Sequence, residues 1–110
     1  MAGKTVALTK PMKELVKEIG REFYPATIFL FGSRTTKDYF NYSDWDLLII
    51  SEKFEGIPFR ERIDKILELY KQPIGQDVEP LCYTPKEISI RKKENGIVKN
   101  ALEKGIILNK

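Results

Sequence analysis

Two aspartates, Asp44 and Asp46, stand one residue apart at the head of the apolar run Leu47-Leu48-Ile49-Ile50. Alternate side chains of a strand point to one face, so these carboxylates would lie side by side, roughly 6 to 7 Å apart at the backbone. Carboxylates that close repel each other, and a cation is the natural compensation. An isolated Asp-x-Asp is more often one turn cap and one solvated charge, so the pattern alone is weak. Here a second element precedes it. The run Ile28-Phe29-Leu30-Phe31 ends in Gly32-Ser33-Arg34, and ten residues separate Ser33 from Asp44. Glycine lets a backbone approach a ligand closely, while N–H groups and the Ser33 hydroxyl suit phosphate oxygens. Arg34 adds a positive charge there, or pairs locally with Asp38. One element would hold phosphates and the other the metal that bridges them.

The rest of the composition narrows the chemistry. The chain has no histidine, which excludes Ser-His-Asp and Cys-His catalysis and histidine-based zinc sites. Carboxylates, hydroxyls, lysine and arginine remain, a set compatible with oxygen-ligated Mg²⁺. The single cysteine, Cys82, cannot form an intrachain disulfide and lies in an apolar context that suits inert core. No apolar run reaches membrane-spanning length and no signal-like block opens the chain, so a cytoplasmic protein without membrane contact is expected. A net charge of +3 falls short of a dedicated nucleic-acid binder. Accordingly, Arg91-Lys92-Lys93 reads as a solvated helix face and nucleic acid is not an expected partner. At 110 residues, one domain spanning 1–110 is expected.

These groups must be positioned by a small set of elements. Met12, Leu15, Val16, Ile19 and Phe23 recur at helical spacing behind a Thr9 N-cap. Residues 26–31 read as a buried strand ended by Gly32, and 44–50 as a second strand with Asp44, Asp46, Leu48 and Ile50 on one face. The segment 33–43 gives no clean period, and 51–57 reads as a charged link. A helix after Pro58 would bury Phe59, Ile63, Ile66, Leu67 and Tyr70, ending at Pro73 and Gly75. Residues 76–83 form a third strand candidate, whose Pro80 suggests an edge or bulge. Thr84-Pro85-Lys86-Glu87 is a capping box. Two helical segments follow, then a Gly105 stop and a closing strand or packed tail at 106–108. The order implies an α+β or mixed α/β plan: a small mixed sheet flanked by helices. The aromatic residues Tyr39, Phe40, Tyr42 and Trp45 near the motif read as core and loop packing.

The combined pattern, Gly32-Ser33-Arg34, ten residues on to Asp44-Trp45-Asp46-Leu47, then Tyr83-Thr84-Pro85-Lys86-Glu87, resembles the signature of the DNA polymerase beta-like nucleotidyltransferase superfamily. In size the chain is similar to its minimal nucleotidyltransferases. The resemblance runs from about Ile28 to Glu87. It implies the polymerase beta-like palm fold and a Mg²⁺-dependent enzyme moving a nucleoside monophosphate, AMP from ATP, to a hydroxyl. Asp44 and Asp46 would hold two Mg²⁺ ions, and Gly32, Ser33 and Arg34 the phosphates of the nucleoside triphosphate. The family uses a third carboxylate on a later strand. Asp77 and Glu79 share a face there, and the family's spacing favours Glu79, although aspartate is the commoner residue. Many minimal nucleotidyltransferases are antitoxins paired with a HEPN-domain protein, which implies a tyrosine of that partner as acceptor. The alternative is a non-catalytic module of the same fold that neutralises or scaffolds such a partner. So small a domain leaves its site open, for a partner or a second copy to cover.

Overall fold

The computed structural model describes residues 8–32, 44–70, 77–94 and 96–109. Helix α1 (Lys10–Glu22) begins where the Thr9 side chain accepts a hydrogen bond from the Met12 N–H, with proline in its first turn. Such a cap stabilises a helix by about 1 kcal/mol. Its apolar stripe of Met12, Leu15, Val16 and Ile19 is buried. Strand β1 (Ala26–Phe31) follows, and Gly32 closes it at φ +82°, a conformation costly for any residue with a side chain.

Strand β2 (Trp45–Ser51) pairs antiparallel with β1, and strand β3 (Val78–Tyr83) pairs parallel with β2. A parallel pair needs a crossover. It is supplied by a short 3₁₀ turn, Glu52–Phe54, and helix α2 (Phe59–Leu67). Helix α3 (Pro85–Arg91) and helix α4 (Ile97–Lys104) come next, and strand β4 (Ile106–Ile107) returns antiparallel along β1. The sheet order is β3-β2-β1-β4, a mixed four-stranded sheet. The α+β plan expected from the sequence is thus the fold observed.

Both faces of the sheet are covered, which explains why β2 is apolar almost throughout. Trp45, Leu47 and Ile49 join α1, Phe54 and Ile66 in the larger core. Leu48 packs with Ile88, Val98 and Ala101 on the other face, where Phe29, Phe31, Ile50, Leu81 and Tyr83 are half-buried. Trp45 is therefore core, as expected. So is Cys82, whose thiol burial pushes up to about 12.

Several expectations need correction. The link after β2 is not featureless: it buries Phe54, which stacks against Phe23 at 4.7 Å between ring centroids. Helix α2 stops at Leu67, and its inward face is rotated from the one expected. Phe59 and Leu67 are 39 % and 40 % exposed, while Arg62 is buried beside Ile66. Arg62 can be buried because its donors are taken by the carbonyls of Ile57 and Cys82 and by both carboxylate oxygens of Glu87. At Gly105 the backbone is extended, φ −74°, rather than left-handed. Close approach is the reason for glycine there, since a β-carbon would collide with the Ala101 carbonyl and stand 3.1 Å from that of Leu30.

Candidate active site

The register of the three longer strands assembles the site. Phe31 of β1 pairs with Asp46 of β2, and Asp46 pairs with Glu79 of β3. Directly paired residues share a face, so Phe31, Asp46 and Glu79 form one row across the sheet. The next row, Phe29, Leu48 and Leu81, is apolar and packs under α3 and α4. The charged row therefore lies just beyond the covered part of this face.

Asp44 stands one alternation before Asp46, immediately ahead of β2, and is exposed. The strand entrance is fixed by the Trp45 N–H, which donates to the Asp77 carbonyl at 2.8 Å. Asp77 itself is exposed and precedes β3, whereas Glu79 lies within it, in register with Asp46. Of the two candidates for the third carboxylate, the pairing puts Glu79 beside Asp46.

Partial burial raises the Asp46 carboxyl to about 6, helped by a hydrogen bond with Glu79 and by the negative charges of Glu79 and Asp44. A carboxyl so placed either holds a proton or requires a cation. Gly32 closes over it. A β-carbon on Gly32 would collide with Asp46 Oδ2 and stand 3.2 Å from its Cγ, so only glycine lets the turn after β1 lie against this carboxylate.

The donor set is all oxygen and suits Mg²⁺. Asp46 and Glu79 at present satisfy each other, and among the described residues no three acidic or cysteine side chains are arranged to hold an ion as they stand. Ser33 and Arg34 lie outside the described residues, as do Tyr39, Phe40 and Tyr42. One participant escaped the sequence. Phe31 adjoins Asp46 only because of strand register, which no local pattern specifies. Gly32 was expected at the site for phosphate approach, and its contact with Asp46 depends on the same register.

A mixed sheet with paired acids opening one strand and a glycine turn ending its antiparallel neighbour defines a nucleotidyltransferase type of domain. The family model for the nucleotidyltransferase domain matches residues 12–108, and the chain belongs to that family, within the polymerase beta-like superfamily. It is similar in fold to a crystal structure from Sulfolobus solfataricus, a protein provisionally assigned as a nucleotidyltransferase. The TM-score is 0.60 at 20 % identity, covering 89 % of this chain and 76 % of that one. No curated protein matches the chain. No helix among the described residues is long and apolar enough to cross a membrane.

Proposed function

We propose that this chain is a Mg²⁺-dependent nucleotidyltransferase that moves a nucleoside monophosphate, AMP from ATP, to a hydroxyl. The observation that carries the reading is the Asp46–Glu79 pair, two facing acids beneath a glycine turn with Asp44 beside them. Asp44, Asp46 and Glu79 would hold two Mg²⁺ ions, and once bound the metal supplies charge neutralisation on the phosphates during displacement at the α-phosphorus. Parting the Asp46–Glu79 hydrogen bond frees both carboxylates for this role. Gly32 brings backbone close to Asp46, where phosphate oxygens would sit; the Ser33 hydroxyl and the Arg34 charge complete that cradle on the strength of sequence pattern. The acceptor follows from family resemblance, a tyrosine of a HEPN-domain partner that the chain would thereby neutralise as an antitoxin in the cytoplasm.

One observation favours a second reading, a non-catalytic module that binds its partner by contact alone. Glu79 is spent on Asp46, and it is a glutamate where aspartate is commoner. Labelled ATP and Mg²⁺, incubated with the chain and a HEPN-domain protein encoded beside it, separate the two. Label transferred to the partner, and lost in Asp44→Ala and Asp46→Ala, supports the enzyme. Complex formation without transfer, unchanged in both variants, supports the module.

A further inference from the structure

A groove of about 410 Å³ lies at the end of the sheet away from the carboxylates, between α1 and the start of β1. Its walls include Lys13, Lys17 and Gly20 of α1, then Tyr24, Pro25 and Asn109. Ala26 opens β1 and Phe31 of the charged row ends it, so five steps at about 3.3 Å per residue put roughly 17 Å between this groove and that row. The two cannot share one small ligand.

Its chemistry is one-sided. Lys13 and Lys17 are one helical turn apart on the same rim, with Lys10 on the same stripe, and neither has an ion-pair partner among the described residues. No Asp or Glu side chain among the described residues lines the groove. Tyr24 is 71 % exposed beside them, a flat ring with no ring or cation contact among the described residues. Gly20 leaves the floor open, since a β-carbon there would meet nothing within 4 Å. Asn109 is a fixed wall and not a ligand: its side chain donates to the Ala26 carbonyl at 2.6 Å and accepts from the Ile28 N–H at 2.9 Å. The volume falls in the range of small-molecule clefts, about 300 to 1,000 Å³.

We propose that this groove binds a nucleoside phosphate, with the base against the Tyr24 ring and the phosphate on Lys13 and Lys17, independently of the acidic site and of divalent metal. Stacking on an exposed ring and charge-assisted hydrogen bonds from paired lysines are the two interactions such a ligand needs. A free anion lacks the first and a nucleoside the second.

The test is an amide chemical-shift titration of the whole chain with AMP, in EDTA so that no metal bridges AMP to the carboxylates. Saturable shifts at Lys13, Lys17, Gly20 and Tyr24, without matching shifts at Gly32 and Asp46, are expected. Tyr24→Ala should weaken binding about ten-fold, within the range for loss of a base–aromatic stack. Lys13→Ala with Lys17→Ala should weaken it about ten-fold or more, as two charged donors are lost. Gly20→Leu is the decisive variant. It favours the helix, keeps every charge and fills the floor, so it should abolish binding while the fold is retained. Inorganic phosphate and adenosine should each bind more weakly than AMP. Shifts confined to the carboxylate end, or AMP binding unchanged in Gly20→Leu, would overturn the proposal. A short oligoadenylate that binds far more tightly than AMP, with steep salt dependence, would overturn it in favour of a single-stranded nucleic acid track.

Discussion

Asp46 and Glu79 face each other across adjacent parallel strands, hydrogen-bonded through their carboxyls, with the Asp46 carboxyl raised to about 6. The pair is stable only while a proton or a cation lies between two groups that would otherwise both be negative. A fold optimised for stability alone would place neither acid there. The unfavourable pair, set at the open end of a covered sheet face, is the feature on which the proposed metal role rests.

The pH dependence follows with a definite sign. Because the folded state holds the Asp46 proton more tightly than the unfolded state, the stabilisation from this group is present below pH 4 and is lost as pH rises through about 6. Without metal, Asp46→Asn should therefore melt higher than the parent at pH 7.5, with the difference vanishing near pH 4. Mg²⁺ should raise the melting temperature of the parent at pH 7.5 and hardly at pH 5, where protons compete for the same oxygens. Differential scanning calorimetry at the two pH values, with and without Mg²⁺, reads both effects. An equal Mg²⁺ shift in Asp46→Asn would place the metal elsewhere.

Gly32→Ala should be far more disruptive than its size suggests. The left-handed backbone alone costs about 1 to 3 kcal/mol for a residue with a side chain, and the new methyl group would also strike Asp46 Oδ2. Either the turn or the carboxylate must move. Denaturant unfolding should show a loss of that order, and the Mg²⁺-dependent rise in melting temperature should disappear even where the variant folds. Gly56→Ala is the control: it has a comparable φ of +79° but nothing within 4 Å of an added β-carbon, so it should lose stability and keep the metal response.

Much of this was legible in the chain. Alternation placed Asp46 on the same face as Leu48 and Ile50, and the apolar run of β2 announced a strand, which the fold covers on both sides. The capping box at Thr84 and Glu87 forms reciprocally, as its residues dictate. Pro80 does mark an edge strand. What could not be read depends on register between distant strands. Nothing local says that Phe31 and Glu79 flank Asp46, because partner choice in a sheet is set by the whole core. The burial of Arg62 was not legible for a related reason. A charged residue reads as solvent-facing until its partners, the carbonyls of Ile57 and Cys82 and a glutamate 25 residues away, are known.

Gly105→Ala should destabilise without touching the site. The backbone at Gly105 is not strained, and the cost arises because a methyl group would be driven into the Ala101 carbonyl and against that of Leu30. Overpacking of this kind costs about 1 to 3 kcal/mol. The loss should appear as faster hydrogen exchange along β4 and at Leu30, with which Ile106 pairs.

Arg62 is the joint through which the far ends of α2, β3 and α3 are held together, and its removal tests whether the frame behind the site is rigid. Its guanidinium donates to the Ile57 and Cys82 carbonyls at 2.7 and 3.1 Å and makes a two-pronged contact with Glu87, whose carboxylate also accepts from the Thr84 N–H. Arg62→Ala takes the guanidinium from both carbonyls and leaves Glu87 with only the Thr84 N–H and solvent. Breaking a fully buried pair costs about 3 to 5 kcal/mol. The Glu87 side chain is 41 % exposed, so about 2 kcal/mol is expected in denaturant unfolding. Glu87→Gln should cost less, because the amide keeps some of the contacts while losing the charge. The pH dependence of the pair runs opposite to that of Asp46. The hydrogen bond from Arg62 holds the Glu87 carboxyl below its usual value of 4.5, so its stabilisation is present above that value and is lost as the solution is acidified through the lowered one. Acidification from pH 7 towards pH 4.5 should therefore raise the parent's stability through Asp46, and acidification below pH 4.5 should lower it through this pair. In Asp46→Asn the gain is gone, so stability should hold to about pH 4.5 and fall below it; in Glu87→Gln the gain should remain and the fall below pH 4.5 should shrink. Separate losses of the two phases in the two variants would show that the structural ion pair and the site carboxylate titrate as separate units.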